Sequence, residues 1–246
     1  MSAIPLDGRV ALVTGAGVRV GRAIALALAG AGADVVVHYR GSAGAAEDVC
    51  AAIRSLGRRA APLAADLTRP EACRDLVRAA AAAMGGLDLL VHSAANFHRA
   101  SLEQSDAALW DDALNLNARA GFLLAREAAP LLRARRGRVV LISDFLATAP
   151  ARNYSAHSVS KAAAEGVVRA LAIELAPEVS VNGVAPGTVL VPEATPPETA
   201  QRWAQKAPLL RNGDPSDVAK TVVFLCSGPS FITGQVLRVD GGVSLV

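Results

Sequence analysis

The chain lacks any apolar run of about 18 residues, although 52% of its 246 residues are hydrophobic and its mean hydropathy is +0.34. No transmembrane helix is therefore expected, and the apolar content belongs to a buried core. The opening segment MSAIPLDGRVALVTGAG lacks the layout of a secretory signal and runs straight into a strand pattern. A cysteine framework is missing too. Cys50, Cys73 and Cys226 are odd in number and show no CxxC or ligand spacing. Reduced core cysteines in a cytoplasmic protein are expected, with no metal site. Charge of one sign is not concentrated: the net +3 comes from scattered residues, with one short cluster, RARRGR at 133–138. That cluster reads as a solvated helix end, so neither nucleic acid nor a membrane is expected as a partner. No linker composition divides the chain, and a single domain over 1–246 is expected.

What is present is an alternation of short β-branched runs with longer alanine-rich segments. Strand patterns occupy 9–14, 33–39, a stretch ending near 63–66, 87–92, 138–143, 179–184 and 236–240. Helical patterns fill 20–30, 43–56, 70–84, a long stretch of about 106–134, 155–176 and 215–226. A proline-rich loop over about 187–213 holds a further short helix. Strands that are apolar almost throughout, separated by helices, predict an α/β fold: one Rossmann-type, doubly wound parallel sheet with helices on both faces.

In such a sheet, ligands bind beyond the C-terminal strand ends. The first such end reads TGAGVRVGRAIA, with Gly15, Gly17 and Gly21 between a strand and a helix. Glycines there tighten the turn and admit a pyrophosphate to the free N–H groups of the helix start. The second strand ends in HYRGS and lacks the acid that takes the ribose hydroxyls of NAD. Arg40 is placed to meet a 2′-phosphate, Ser42 adds a hydroxyl, and Arg19 is a second cation nearby. NADP(H) is therefore the expected cofactor.

The chain resembles the short-chain dehydrogenase/reductase family along nearly its whole length. The resemblance is carried by TGAGVRVG, ADL at 65–67, LDLLVHSAA at 87–95, LNLNARAGF at 114–122, the segment 143–161, VNGVAPG at 181–187 and ITGQVLRVDGG at 232–242. Within the family it most resembles the pteridine reductase branch. It is similar to that branch in Arg19 at the middle glycine of TGxxxGxG, and in HY plus a basic residue after the second strand. It is similar also in Asp144, thirteen residues before the tyrosine position, and in the aromatic Phe97 after the fourth strand. Segment 187–211 resembles the branch's substrate loop. Three positions depart from the family pattern. His157 stands where the family has tyrosine, His92-Ser93-Ala94-Ala95 replaces Asn-Asn-Ala-Gly, and Ala95 replaces a site serine.

The resemblance implies cofactor contacts from Gly15, Arg19, Val20 and Gly21 in the first loop, and from His38, Tyr39, Arg40 and Ser42 after the second strand. It implies further contacts from Asp66 and Leu67, from Ser93, Ala94 and Ala95, and from Lys161 with Pro186, Gly187, Thr188 and Val189. It implies a catalytic set of Asp144, His157, Lys161 and Asn117, with Asn117 supporting a water behind the lysine. Arg19, Phe97, Asp144 and Tyr154 are the implied substrate contacts, and a homotetramer the implied assembly.

The chemistry of YSAHSVSK, 154–161, turns on His157. On a helix, His157 and Lys161 share a face, which reads either as two solvated bases or as a catalytic turn. Lys161 nearby lowers the histidine pKa, and the Asp144 carboxylate opposes it. His157 is then the proton donor, a binding residue with the proton coming from Asp144, Tyr154 or water, or the mark of a lost activity. Three functions follow: NADPH-dependent reduction of a pterin-like substrate, carbonyl reduction such as that of a 3-oxoacyl thioester, or NADPH binding with weakened turnover.

Overall fold

The computed structural model describes residues 5–246. Seven strands form one parallel sheet in the order β3-β2-β1-β4-β5-β6-β7. They are β1 (Val10–Thr14), β2 (Asp34–Tyr39), β3 (Ala60–Ala64), β4 (Leu89–His92), β5 (Arg138–Ile142), β6 (Ser180–Pro186) and β7 (Val236–Val239). The helices between them are α1 (Arg19–Gly30), α2 (Ala43–Ser55), α3 (Pro70–Met84), α4 (Ala107–Leu114), α5 (Ala120–Ala134), α6 (Ser155–Glu174), α7 (Pro197–Lys206) and α8 (Pro215–Ser227). The doubly wound sheet expected from the sequence is the sheet observed.

Both faces of the sheet are covered because alternate strand residues feed different cores. Ala11 and Val13 of β1 pack with Ile24 and Leu28 of α1, Val49 and Ile53 of α2, and Val218 and Val222 of α8. Their neighbours Val10 and Leu12 pack on the other face with Leu76 of α3, Leu124 and Leu132 of α5, and Val168 and Leu171 of α6. Each fully buried leucine or valine contributes about 1.5–3 kcal/mol of burial free energy. Two-sided burial is what makes the strands continuous apolar runs. The three cysteines are free and buried in this interior.

One feature differs from the sequence expectation, and two others settle or bear out a reading of it. The long helix over 106–134 is two helices, α4 and α5, joined by a π-helical turn at Asn115–Arg119. The wider turn displaces the backbone and places Asn117, 1% exposed, beneath the strand ends. His157 and Lys161 do not form a solvated face; they are 2% and 4% exposed. The RARRGR cluster is the exposed end of α5 that the sequence predicts, and its guanidiniums also bond nearby carbonyls and Asp88. Arg133 donates to the Glu174 carbonyl, Arg135 to Asp88 and the Gly85 carbonyl, and Arg138 to the Leu225 and Gly228 carbonyls. No helix among the described residues is long and apolar enough to cross a membrane.

β1 and β4 are neighbours, and their connections leave in opposite directions. A crevice therefore opens beyond Thr14 and His92, at the switch point where such sheets bind ligands.

Candidate active site

The crevice is a cleft of about 1280 Å³. Its walls are the β1–α1 loop, the ends of β2, β4, β5 and β6, the first turn of α6, and α7.

The β1–α1 loop is held from below. The Gly15 amide donates to Nδ1 of His38 at 3.1 Å, and His38 Nε2 lies 3.1 Å from the Ala65 carbonyl. Because Nδ1 accepts, Nε2 carries the hydrogen and the ring is neutral. Burial pushes the His38 pKa down to about 4, against the Ala65 carbonyl, which raises it. His92 plays the same part under β4. Thr14 Oγ1 lies 2.9 Å from its Nδ1, and its Nε2 lies 3.0 Å from the Leu116 carbonyl in the π-helical turn. The Thr14 oxygen accepts from the Ser93 and Ala94 amides, so its hydroxyl hydrogen goes to the histidine. Burial lowers the His92 pKa to about 4 as well. Two neutral imidazoles thus fasten the loops that line the crevice.

Gly21 shows why the loop is glycine-rich. A Cβ there would lie 2.1 Å from the Gly15 carbonyl oxygen, so α1 could not approach the turn. Arg19 opens α1 at φ +53°, a left-handed backbone that favours glycine and costs a side-chain-bearing residue about 1 kcal/mol. Its side chain is exposed at the cleft, as is Arg40 at the end of β2. Val20, Tyr39, Ser42, Leu67, Ala95, Pro186, Gly187, Thr188 and Val189 reach the same cleft or its rim. Asp66 stands apart: its carboxylate accepts from the Thr68 hydroxyl and amide, bonds that, with Arg40 and Arg69 nearby, hold its pKa low against desolvation. A tight loop at a helix start, two exposed guanidiniums and an elongated cleft fit a dinucleotide.

The other end of the cleft carries the titratable cluster. Lys161 is fully buried, and its ammonium donates to the Ile142 carbonyl at 2.8 Å. Desolvation lowers its pKa to about 8, with the Asp144 carboxylate raising it in part. His157, one turn earlier, points Nδ1 at the Asn96 carbonyl, 3.2 Å away. Its Nε2 is buried without a hydrogen-bond partner and lies 3.5 Å from Asp144 Oδ2. That separation is within ionic reach but longer than an ordinary hydrogen bond. Asp144 Oδ1 caps the 3₁₀ turn Phe145–Ala147 by accepting from the Leu146 amide at 2.9 Å.

Phe97 packs against this cluster. Its ring centroid lies 4.8 Å from Tyr154 in a tilted pair and 4.5 Å from His157 edge-on. It stays 57% exposed, which leaves ring surface free for a ligand. The structure thus brings together Phe97, Asp144, Tyr154, His157 and Lys161. Asn117 is near but occupied: its amide donates to Ser160 Oγ and the Asn96 carbonyl, and its oxygen accepts from the Asn96 amide.

Sequence reasoning missed Asn96, His98 and Asp112. Asn96 Nδ2 donates to the Asp112 carboxylate at 2.6 Å and its carbonyl at 3.0 Å, and His98 Nε2 lies 2.7 Å from the same carboxylate. No motif joins residues on a loop to a helix fourteen or more positions later; they meet because α4 packs Asp112 back against the loop after β4. Trp203 and Lys206, on α7 within the segment likened to a substrate loop, also line the cleft, though neither was singled out in the sequence.

A family model described as enoyl-(acyl carrier protein) reductase matches residues 15–244. An uncharacterized oxidoreductase of Mycobacterium tuberculosis is 38% identical over 97% of this chain and 93% of its own. The 7alpha-hydroxysteroid dehydrogenase of Escherichia coli is 35% identical over 96% of this chain and 94% of its own. A solved 7alpha-hydroxysteroid dehydrogenase complexed with NADH and 7-oxo glycochenodeoxycholic acid superposes with a TM-score of 0.92 at 34% identity, covering 97% and 95% of the two chains. A dehydrogenase/reductase from Sinorhizobium meliloti superposes equally well, with a TM-score of 0.92 at 36% identity over 98% and 96%.

Proposed function

The chain belongs to the short-chain dehydrogenase/reductase family of oxidoreductases, and on that premise we propose that it is an NADPH-dependent reductase of pterin-like substrates, close to the pteridine reductase branch. One observation carries the reading: the half-exposed Phe97 ring stands beside a cluster holding Asp144, Tyr154, His157 and Lys161. A flat conjugated substrate gains stacking area on Phe97 and a charged partner in Asp144 or Arg19 for its polar edge.

Arg40, with Arg19 beside the loop, selects the 2′-phosphorylated cofactor over the NADH seen with the steroid relative. Bound in the cleft, the reduced nicotinamide supplies the hydride. In this reading Lys161 orients the ribose, and its buried charge favours anionic or polar groups beside it. The Asp144–His157 pair holds the proton that the substrate needs after hydride transfer, a contribution of about 10²–10⁴-fold in rate. The whole chain works as one reductase domain, with the loop over about 187–213 closing the substrate end through α7. A homotetramer in the cytoplasm is the expected assembly.

Carbonyl reduction is the second reading, favoured by the likeness to a 7alpha-hydroxysteroid dehydrogenase. NADPH consumption with a dihydropterin, a 3-oxoacyl thioester and a steroid ketone separates the two. Turnover of the dihydropterin alone supports the first. Turnover of a ketone alone supports the second. Tight NADPH binding with no turnover on any of them returns the chain to a cofactor-binding protein.

A further inference from the structure

His157 cannot choose its tautomer freely. Its Nδ1 faces the Asn96 carbonyl at 3.2 Å, and a carbonyl has no proton to give. Nδ1 therefore keeps its hydrogen whatever the charge of the ring. All exchange happens at Nε2, which is buried, has no hydrogen-bond partner and looks at Asp144 Oδ2 across 3.5 Å. A bare Nε2 facing a bare carboxylate sets two acceptors against each other, so the pair is complete only with one proton between them. The two partners differ in access. Nε2 has no exposed surface, while the Asp144 side chain is 21% exposed and lines the cleft. Asp144 Oδ1 is committed to the Leu146 amide, so Oδ2 is the atom free to act.

Resting on the reductase reading above, we propose that Asp144 is the catalytic residue that hands the proton to the substrate, that His157 is the buried relay behind it, and that Asn96 is the positioning residue that fixes the relay. When hydride reaches the substrate carbon, the displaced π pair of its C=N or C=O bond takes the proton from Asp144 Oδ2. That single shared proton reaches Oδ2 from His157 Nε2 and passes on to the substrate in the same event, leaving both atoms bare, and solvent restores it through Asp144 after product leaves. Asn96 serves because it is clamped on both sides, by Asn117 on its amide and carbonyl and by Asp112 on its side chain. The charged and titratable groups around the relay are Lys161 one turn along α6, Tyr154 at the start of α6, Asp144 from the β5 end, and Asp112 with His98 behind Asn96.

The test uses the full-length protein with NADPH and a dihydropterin. Asp144→Asn is expected to lower kcat at least about 100-fold with NADPH binding intact, and to abolish the acid-favoured limb of the pH profile. His157→Asn is expected to lose rate near neutral pH and regain it on acidification, because Asp144 then takes its proton from solution. Asp112→Ala is expected to lower kcat while leaving the KM for NADPH unchanged. The reverse pattern overturns the proposal: a pH-dependent rate surviving in Asp144→Asn, with no acid recovery in His157→Asn, makes His157 the donor. A second readout needs no turnover. ¹⁵N-imidazole spectra should show His157 carrying its hydrogen at Nδ1 whether the ring is neutral or charged. A neutral ring protonated at Nε2 overturns the relay even if the protein reduces some other substrate. Absence of dihydropterin turnover beside the expected spectra overturns the substrate reading and leaves the relay standing.

Discussion

The Gly15 amide, at the turn where a pyrophosphate would sit, donates to the ring of His38 at 3.1 Å. The bond exists only while His38 is neutral, and the same holds for His92 under Thr14. Both rings have pKa values lowered from 6.5 to about 4 by burial. Between those limits the unfolded chain binds more protons than the folded one, so stability rises with pH across that window. Each histidine contributes stability that is full above 6.5 and lost toward 4, up to about 3 kcal/mol apiece. Urea midpoints measured across that range should fall steeply on acidification, and His38→Gln should flatten the slope. A midpoint independent of pH there contradicts the neutral-imidazole assignment.

Arg19 bears a side chain at φ +53°. Arg19→Gly relieves strain of about 1 kcal/mol, in part offset by the greater flexibility of glycine in the unfolded chain. Unfolding should show stability kept or raised, while titration shows weaker NADPH binding. Loss of stability with unchanged NADPH affinity would mean that the guanidinium is structural.

Arg40→Ala tests cofactor choice. A charge-assisted hydrogen bond to phosphate contributes about 1.5–3 kcal/mol, so NADPH should bind about 10–100-fold more weakly. NADH binding should hold constant. Equal losses for both cofactors would place the Arg40 contact elsewhere.

Lys161 is a buried base whose pKa falls from 10.5 to about 8. Its charge is disfavoured in the fold: stability rises with pH between 8 and 10.5, and below 8 the full penalty of about 3 kcal/mol persists. Lys161→Met removes that penalty but orphans the Ile142 carbonyl, at about 1–3 kcal/mol. At neutral pH the cofactor-free variant should be more stable by about 1 kcal/mol in urea unfolding, and catalytically dead. A clear destabilisation would show that the ammonium stabilises the fold it sits in.

The sheet and its helices were legible because two-sided burial writes itself into a parallel strand as an unbroken apolar run, as in β1 and β2. The glycine loop was legible because Gly21 meets Gly15 within bonding distance of any added Cβ. The π-helical turn at Asn115–Arg119 was not, since an inserted residue leaves the helical periodicity nearly intact. Its consequence, the burial of Asn117, was hidden with it, and the meeting of Asn96 with Asp112 across a loop and a helix has no sequence signal of its own. The pairing of His157 with Asp144 was foreseen as a competition of charges. The direction of each ring nitrogen, which decides the chemistry, depends on a carbonyl sixty-one residues away.

The most direct test of the proposed function is the initial rate of NADPH oxidation with a dihydropterin, followed from about pH 8 down to about pH 5. A rate that needs NADPH rather than NADH, and that rises as pH falls, is the predicted result. No dihydropterin turnover at any pH, beside turnover of a 3-oxoacyl thioester or a steroid ketone, would contradict it.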